Sequence, residues 1–514
     1  MNAENKSAAS ILLGDPDFHG VHKEEIEVIE THISRIFLAG DRAWKVKREV
    51  DLPYVDFSTP ELRFDACKKE IELNSRTAPE LYIAAHRITA NEDGRPTLDG
   101  TGKLVDGVVE MKRFDQDLLL DRMALRGELT PELISKTAHM IAAFHGEAAI
   151  DAKRTGSAMM AGVLDINEAG FGRGQLFDPS DVATLNRKFR AALEKHAALL
   201  DSRGEAGMVR HCHGDLHLRN ICLLDGEPRL FDCIEFNEDI ATVDVIYDLA
   251  FLLMDLWHRG FGELANLAAN RYVDEAEDET GFTPLPFFMA VRAAVRAHVT
   301  ATAIADKGAD DPRADEAKSY FELAEQLLED HPPRLVTIAG LSGSGKTTVA
   351  EKLASRVGAP PGARIIESDR IRKALHGVSA ETRLPGEAYC REISEAVYQE
   401  MARRAGVVLG KGGAVVSDGV FERPADRARM EAAASDCGES FAGFWLDADA
   451  AILRRRVEAR LGGPSDASPE VLAHQLERDV DYSDWIRIDA AGDLDAIVAD
   501  ILERLTSTQK GERR

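Results

Sequence analysis

The spacing of apolar side chains changes character several times along the 514-residue chain. Residues 33–49, ISRIFLAGDRAWKVKRE, set two runs of β-branched and aromatic residues on either side of Gly40-Asp41, which predicts a β-hairpin. Next comes FSTPELRFDACKKEIELN. Its Ser58-Thr59-Pro60-Glu61 reads as a capped helix start, and Leu62, Ala66, Ile71 and Leu73 continue at helical spacing. VDGVVEMKRF, 105–114, predicts a further strand. From Leu118 to about Leu200 the pattern is mostly helical, clearest in LISKTAHMIAAFH, 133–145. A strand-rich island spans Met208 to Phe236, and helical spacing resumes from Val243 to about Leu328.

A break at Pro332-Pro333 marks a domain boundary, with one domain over 1–330 and another over 334–514. Beyond it strands and helices alternate. LVTIAG (335–340), ARIIESD (363–369), GAVVSDGVF (413–421) and SFAGFWLDAD (440–449) are the strand candidates. Such alternation implies an α/β domain whose parallel sheet is covered on both faces. The first domain, with its hairpin and long helical stretch, reads as α+β.

Composition narrows the picture modestly. Hydrophobic residues make up 44% and charged residues 30% of the chain, as in a globular protein. Six scattered cysteines without C-x-x-C or metal-ligand spacing fit reduced thiols in the cytoplasm. The N-terminus lacks a basic start followed by an apolar core, and the most apolar run, Ala250 to Met254, is too short for a bilayer. A formal net charge of −26 disfavours nucleic acid and anionic membrane as partners. Partner proteins leave no signature.

The chemistry is concentrated in two short motifs. HGDLHLRN, His213 to Asn220, places an aspartate and an asparagine five positions apart, the layout of a kinase catalytic loop. Phosphoryl transfer needs a base at the attacking hydroxyl and cations over the phosphate oxygens. Asp215 is the candidate base, and the Asn220 amide oxygen is placed to hold magnesium. A second metal carboxylate is expected on a neighbouring strand, and RLFDCIEF supplies Asp232. His213 and His217 read as structural supports of the loop. The complementary lysine and glutamate come from AWKVK and KKEIELN: Lys45, with Lys47 on the same strand face, and Glu70, with Glu72 as its alternative.

These motifs, with Phe231-Asp232 and DVIYDLAFLL from Asp244, make residues 30–330 resemble the aminoglycoside phosphotransferase family. The resemblance implies a protein-kinase-like bilobal fold, a small sheet lobe and a larger helical lobe, with ATP or GTP bound between them. It implies Asp215 as base, Asn220 and Asp232 as magnesium ligands, and Asp248 as a support for the catalytic loop. The sequence departs from the protein-kinase pattern in having only Gly40 before Lys45, and Cys233-Ile234 after Asp232.

GLSGSGKT, Gly340 to Thr347, fills every fixed position of a P-loop, between an apolar strand and a helix-capable TTVAEKLASRV. Gly340, Gly343, Ser344, Gly345, Lys346, Thr347 and Thr348 are therefore the expected ATP-binding residues, with the Thr347 hydroxyl on magnesium. Asp418, ending AVVSD, takes the Walker-B-like position for the metal. ESDRIRKAL sets Asp369 at a strand end with Arg372 three residues on. This resembles the D-x-x-R element of P-loop polynucleotide and small-molecule kinases, which implies an acceptor-activating aspartate and an acceptor- or phosphate-binding arginine. An N-cap aspartate is the other reading. Arg456 and Arg460, four apart before a Gly-Gly-Pro-Ser break, are expected to line a lid over the transferred phosphoryl group; a solvated arginine face is the alternative. Residues 334–514 resemble the P-loop kinases grouped with gluconate kinase, chloramphenicol phosphotransferase and zeta toxins.

The whole chain resembles a fused bacterial family of bifunctional phosphotransferase/ATP-binding proteins. The expectation is an ATP- and Mg2+-dependent kinase of small hydroxylated molecules, with GTP an alternative at the first site. Three rivals stand beside it: a P-loop half that only regulates the first site, an antibiotic-modifying enzyme, and, least favoured, a nucleic-acid end kinase.

Overall fold

The hairpin around Gly40-Asp41 forms in the computed structural model, with Gly40 at φ +56° carrying the chain through the turn. The structure describes residues 7–31, 33–52, 55–172, 176–304, 311–459, 465–478 and 484–512. The hairpin belongs to an antiparallel sheet of six strands: β1 (Glu27–Glu30), β2 (Ser34–Ala39), β3 (Arg42–Lys47), β4 (Tyr82–Ala90), β5 (Pro96–Leu98) and β6 (Lys103–Lys112). Their order is β1-β2-β3-β6-β4-β5. Along β3 the side chains alternate. Trp44 and Val46 join Phe37, Ile88 and Val108 in one core, whereas Ala43 packs on the opposite face with Cys67 of helix α1 (Pro60–Asn74). Lys45 and Lys47 share that α1 face. The Thr59 hydroxyl caps α1 by accepting from the Leu62 N–H, as the sequence signature requires.

Strand β4 was not foreseen, because register shifts at Tyr82/Ala84 and Ile88/Thr89 break its two-residue periodicity. The helical stretch from Leu118 resolves into Leu120–Leu125, α2 (Pro131–Glu147), Gly156–Phe171 and Pro179–Glu205. The strand-rich island holds a tight hairpin, β7 (Ile221–Leu224) with β8 (Glu227–Leu230), followed by the largely buried helix α3 (Val245–His258). Among the described residues, no helix is long and apolar enough to cross a membrane.

Beyond Pro333 the alternating pattern builds five parallel strands: β9 (Arg334–Gly340), β10 (Arg364–Glu367), β11 (Val415–Gly419), β12 (Ser440–Asp447) and β13 (Ile486–Asp489). The order is β10-β11-β9-β12-β13, so the first strand is central and its C-terminal end opens into the glycine loop. Val336 and Ile338 of β9 face one core and Leu335 and Ala339 the other, which explains the near-continuous apolar runs. Strand β13 was missed: IRID is only four residues long and carries little apolar signal.

The described residues group into two compact units, Met1–Asp255 with Val291–Ala324, and Leu256–Ala290 with Glu325–Arg514. A cut at Pro332-Pro333 assigns 256–290 to the first domain by chain order, but this segment groups with the P-loop strands. Helix α4 (Gly262–Ala276) explains why. Edge strand β10 and the residue before it present backbone groups that need partners. Asn266 and Asn270 of α4 donate to the Ala363 carbonyl at 3.0 and 3.3 Å, and the Asn270 side-chain oxygen accepts from the Ile365 N–H at 2.7 Å. Arg364 then pairs with Asp274 and Glu279 at 2.6 and 2.8 Å. These contacts depend on buried side chains far apart in sequence and carry no local motif.

Candidate active sites

The catalytic loop owes its shape to one buried aspartate. Asp248, on α3, accepts the backbone N–H groups of His213 and Gly214 at 3.1 and 2.9 Å and the His145 ring N–H at 3.1 Å. Burial opposes its ionisation, yet the bond from His145 and the nearby charges outweigh that and hold its carboxyl below the usual range. His213 accepts from the Asp215 N–H through Nδ1 and donates from Nε2 to the Phe231 carbonyl at 2.9 Å. The loop is thereby tied to the segment carrying Asp232.

Asp215 and Asn220 meet directly. The Asn220 amide donates to the Asp215 carbonyl at 2.8 Å and to its Oδ2 at 2.9 Å, which leaves the amide oxygen of Asn220 for a cation. His217 Nε2 lies 3.4 Å from the same carboxylate. Burial pushes the Asp215 carboxyl up, but His217, His213 and Arg296 together hold it well below its ordinary value. Asp232 sits at φ +64°, an uncommon conformation for a residue with a side chain. Two side chains pin that turn: Tyr82 Oη accepts from the Asp232 N–H at 3.0 Å, and Asn74 Oδ1 from the Cys233 N–H at 2.9 Å.

The sequence left Lys45 and Lys47 open, and the structure has them share Glu70 while giving each a second partner of its own. Lys45 donates to Glu70 Oε1 at 2.8 Å and reaches Asp232. Lys47 donates to Glu70 Oε2 at 2.6 Å and reaches Glu235. Burial disfavours the Glu70 carboxylate, but the two ammonium groups overcome this and hold its carboxyl down to about 2. Glu72 is exposed on the other side of α1. Three acids and two lysines form a line, and only Asp232, with a side chain 40% exposed, ends it towards solvent. The amide oxygen of Asn220 and the half-exposed carboxylate of Asp232 are oxygen donors that suit Mg2+, a hard cation that prefers oxygen.

In the second site the glycines are required by geometry at two positions. Gly343 has φ +83°, and a Cβ there would sit 2.6 Å from the Leu453 carbonyl; Gly345 caps α5 (Lys346–Ala354) at φ +90°. Lys346 folds back onto the Leu341 carbonyl at 3.1 Å. The Thr347 hydroxyl donates to Asp418 Oδ2 at 2.6 Å. Gly340 ends β9, the Ser344 hydroxyl is buried without a partner, and Thr348 is exposed. Burial and the charge of Glu367 push the Asp418 carboxyl up to about 8. A hydroxyl and a buried carboxylate whose negative charge is under-compensated fit a magnesium ion.

Strand β10 ends at Glu367, so Asp369 stands in the first turn of α6 (Ser368–Leu375) rather than at the strand end. Burial raises its carboxyl despite a bond from Ser465 and the charges of Lys346 and Arg372. Arg372 is 6% exposed, donates to the Ala388 carbonyl at 2.8 Å and lies over the Tyr389 ring at 4.7 Å, while its Nε has no partner. Arg456 lies half-buried on α7 (Ala450–Glu458), and Arg460 lies outside the described residues. Sequence reasoning missed Lys47 and Glu235 as a buried pair, Glu367, and Asp466, which accepts from Lys373 at 2.8 Å and from the Tyr389 hydroxyl at 2.6 Å. The E in DCIEF and in IIESD was the available signal, since a carboxylate inside an apolar run needs a partner.

Two family models match the chain: the phosphotransferase enzyme family over residues 120–283 and an AAA domain over residues 335–479. The uncharacterized protein Rv2004c of Mycobacterium tuberculosis is 32% identical over 489 residues, covering 93% of this chain and 95% of that one. A shikimate kinase of Bradyrhizobium diazoefficiens is 29% identical over 188 residues, 35% of this chain and 83% of that enzyme. A choline/ethanolamine kinase family protein from Mesorhizobium loti has a solved structure with 13% identity, covering 63% of this chain and 94% of that one, at a TM-score of 0.40.

The two lysines should separate in mutagenesis. Lys47→Met strips fully buried carboxylates of a cation and should cost about 3–5 kcal/mol in chemical unfolding. Lys45→Met should destabilise less, because Glu70 keeps Lys47, yet it should abolish turnover at the first site. Equal loss of stability with full turnover in Lys45→Met would contradict this assignment. Asp418 gives a pH test. Its carboxyl binds a proton more tightly folded than unfolded, so its contribution is fully present below the ordinary carboxylate range and is lost progressively as pH rises from there through about 8. Without metal, Asp418→Asn should therefore match wild type only at about pH 4 or below, where the unfolded carboxyl is also protonated, and should melt higher at about pH 9 in calorimetry. Parallel melting curves across that range would refute it.

Proposed function

The chain belongs to the family of the mycobacterial protein Rv2004c and joins a phosphotransferase domain to a P-loop kinase domain, and from that premise we propose that both halves are working kinases of small hydroxylated molecules. One observation carries the proposal: each half has its own complete set of a base, metal-binding oxygens and a phosphate-reaching lysine. In the first half these are Asp215, Asn220 with Asp232, and Lys45. In the second they are Asp369, Thr347 with Asp418, and Lys346. Neither set borrows a residue from the other.

At the first site Asp215 accepts the proton of the acceptor hydroxyl as that oxygen attacks the terminal phosphorus of ATP and the bond to the bridging oxygen breaks, with ADP as the leaving group. Its low proton affinity suits orientation of the hydroxyl better than strong basicity, as in a loose transition state with little early bond formation. Magnesium, when bound, neutralises charge developing on the phosphate oxygens. Asn220 and Asp232 would hold it, and Lys45, which reaches Asp232 here, would turn to the nucleotide phosphates.

At the second site the loop N–H groups and Lys346 cradle the phosphates, and Asp369 faces the acceptor. Arg372 supports an acceptor bearing a carboxylate or phosphate, because its buried guanidinium keeps one N–H without a partner and stacks on Tyr389. Arg456, half-buried on α7, would approach the transferred group from that helix.

The test uses wild type, Asp215→Ala and Lys346→Ala with ATP, Mg2+ and a bacterial metabolite extract, followed by mass spectrometry. Two phosphorylated products are expected, one falling at least about a thousandfold in each variant. One product, abolished in Asp215→Ala and only modulated in Lys346→Ala, would make the P-loop half a regulator and overturn the two-kinase reading.

A further inference from the structure

The P-loop site contains one buried charge that these roles leave idle. Glu367 ends β10 and is 3% exposed. Its Oε1 accepts from Arg271 Nη1 at 3.2 Å and from Arg370 Nε at 3.0 Å. Its other oxygen, Oε2, is buried with no hydrogen-bond partner. A buried carboxylate oxygen without a donor is costly, so a donor arriving with the ligand would resolve it.

The surroundings say which ligand. Glu367 stands opposite Asp418 in the β10–β11 register, so both side chains lie on the sheet face that α5 covers. Asp418 already holds the Thr347 hydroxyl at 2.6 Å, the pair that suits magnesium. Magnesium gives up its waters reluctantly, and bound waters need acceptors around them. Arg271 comes from α4, ahead of the P-loop in the chain, and also donates to Glu351 Oε1 on α5 at 2.7 Å. One guanidinium thus joins the P-loop helix to the Glu367 carboxylate.

We propose that Glu367 is a second carboxylate of the P-loop metal site beside Asp418, accepting from metal-bound water through its free oxygen, and that Arg271 is the positioning residue that aims it. The inference rests on the P-loop half binding magnesium nucleotide. Outer-shell acceptors of this kind usually change metal affinity about 10- to 100-fold.

The experiment titrates Mg2+ into full-length protein with a fluorescent ADP analogue. The component absent in Lys346→Ala defines the P-loop site. Glu367→Gln should bind the analogue in EDTA as wild type does, but need about 10- to 100-fold more Mg2+ to reach the metal-enhanced state. Arg271→Met should shift in the same direction, and Arg271→Lys should recover part of the shift. A wild-type Mg2+ midpoint in folded Glu367→Gln, or in Arg271→Met should the glutamine variant misfold, would overturn the proposal. So would equal loss of binding with and without Mg2+, which marks a purely structural counter-ion. A different failure, no component lost in Lys346→Ala, would remove the nucleotide reading itself and this inference with it.

Discussion

A carboxylate buried without a cation or a set of donors is among the most expensive things a protein can contain, and both sites are organised around that cost. Glu70 is 0% exposed and survives as an anion because two lysines take its two oxygens. Asp248 survives because two loop N–H groups and a histidine converge on it. In solving their own electrostatic problem, these acids position the lysine, the catalytic loop and the strand that carry the first site. Removing any cation from the line would leave an uncompensated charge beneath the nucleotide-facing surface.

The second site resolves the same problem differently. Asp418 has a hydroxyl donor, Glu367 has two arginines on one oxygen, and neither is fully compensated by protein groups. The first half thus carries internal counter-ions and keeps Asp232 half-exposed at the end of the line. The P-loop half leaves negative charge that magnesium would balance. The first site is thus assembled by its own salt bridges, whereas the second keeps carboxylates that a bound cation would balance.

Legibility in the sequence followed the range of the interactions. The P-loop, the Asp215–Asn220 spacing and the strand–helix alternation are local patterns, and each appears in the structure with the expected element. The hairpin of Lys45 and the cap of α1 were readable for the same reason. Strands β4 and β13 were not, because bulges and brevity erased their periodicity. Lys45 could not be separated from Lys47 by alternation alone; contacts with Asp232 and Glu235, nearly two hundred residues on, distinguish them. The membership of α4 in the P-loop unit was equally hidden, since Asn266, Asn270 and Arg271 mean nothing until β10 lies beside them.

Two independent magnesium–nucleotide sites on one polypeptide, as proposed, would be tested most directly by counting bound nucleotides. Native mass spectrometry with a non-hydrolysable ATP analogue and Mg2+ should find two nucleotides per chain in wild type. Asp232→Asn and Lys346→Ala should each retain one, and the double variant none. A single nucleotide in wild type, lost entirely in either variant, would contradict the account and reduce the two sites to one.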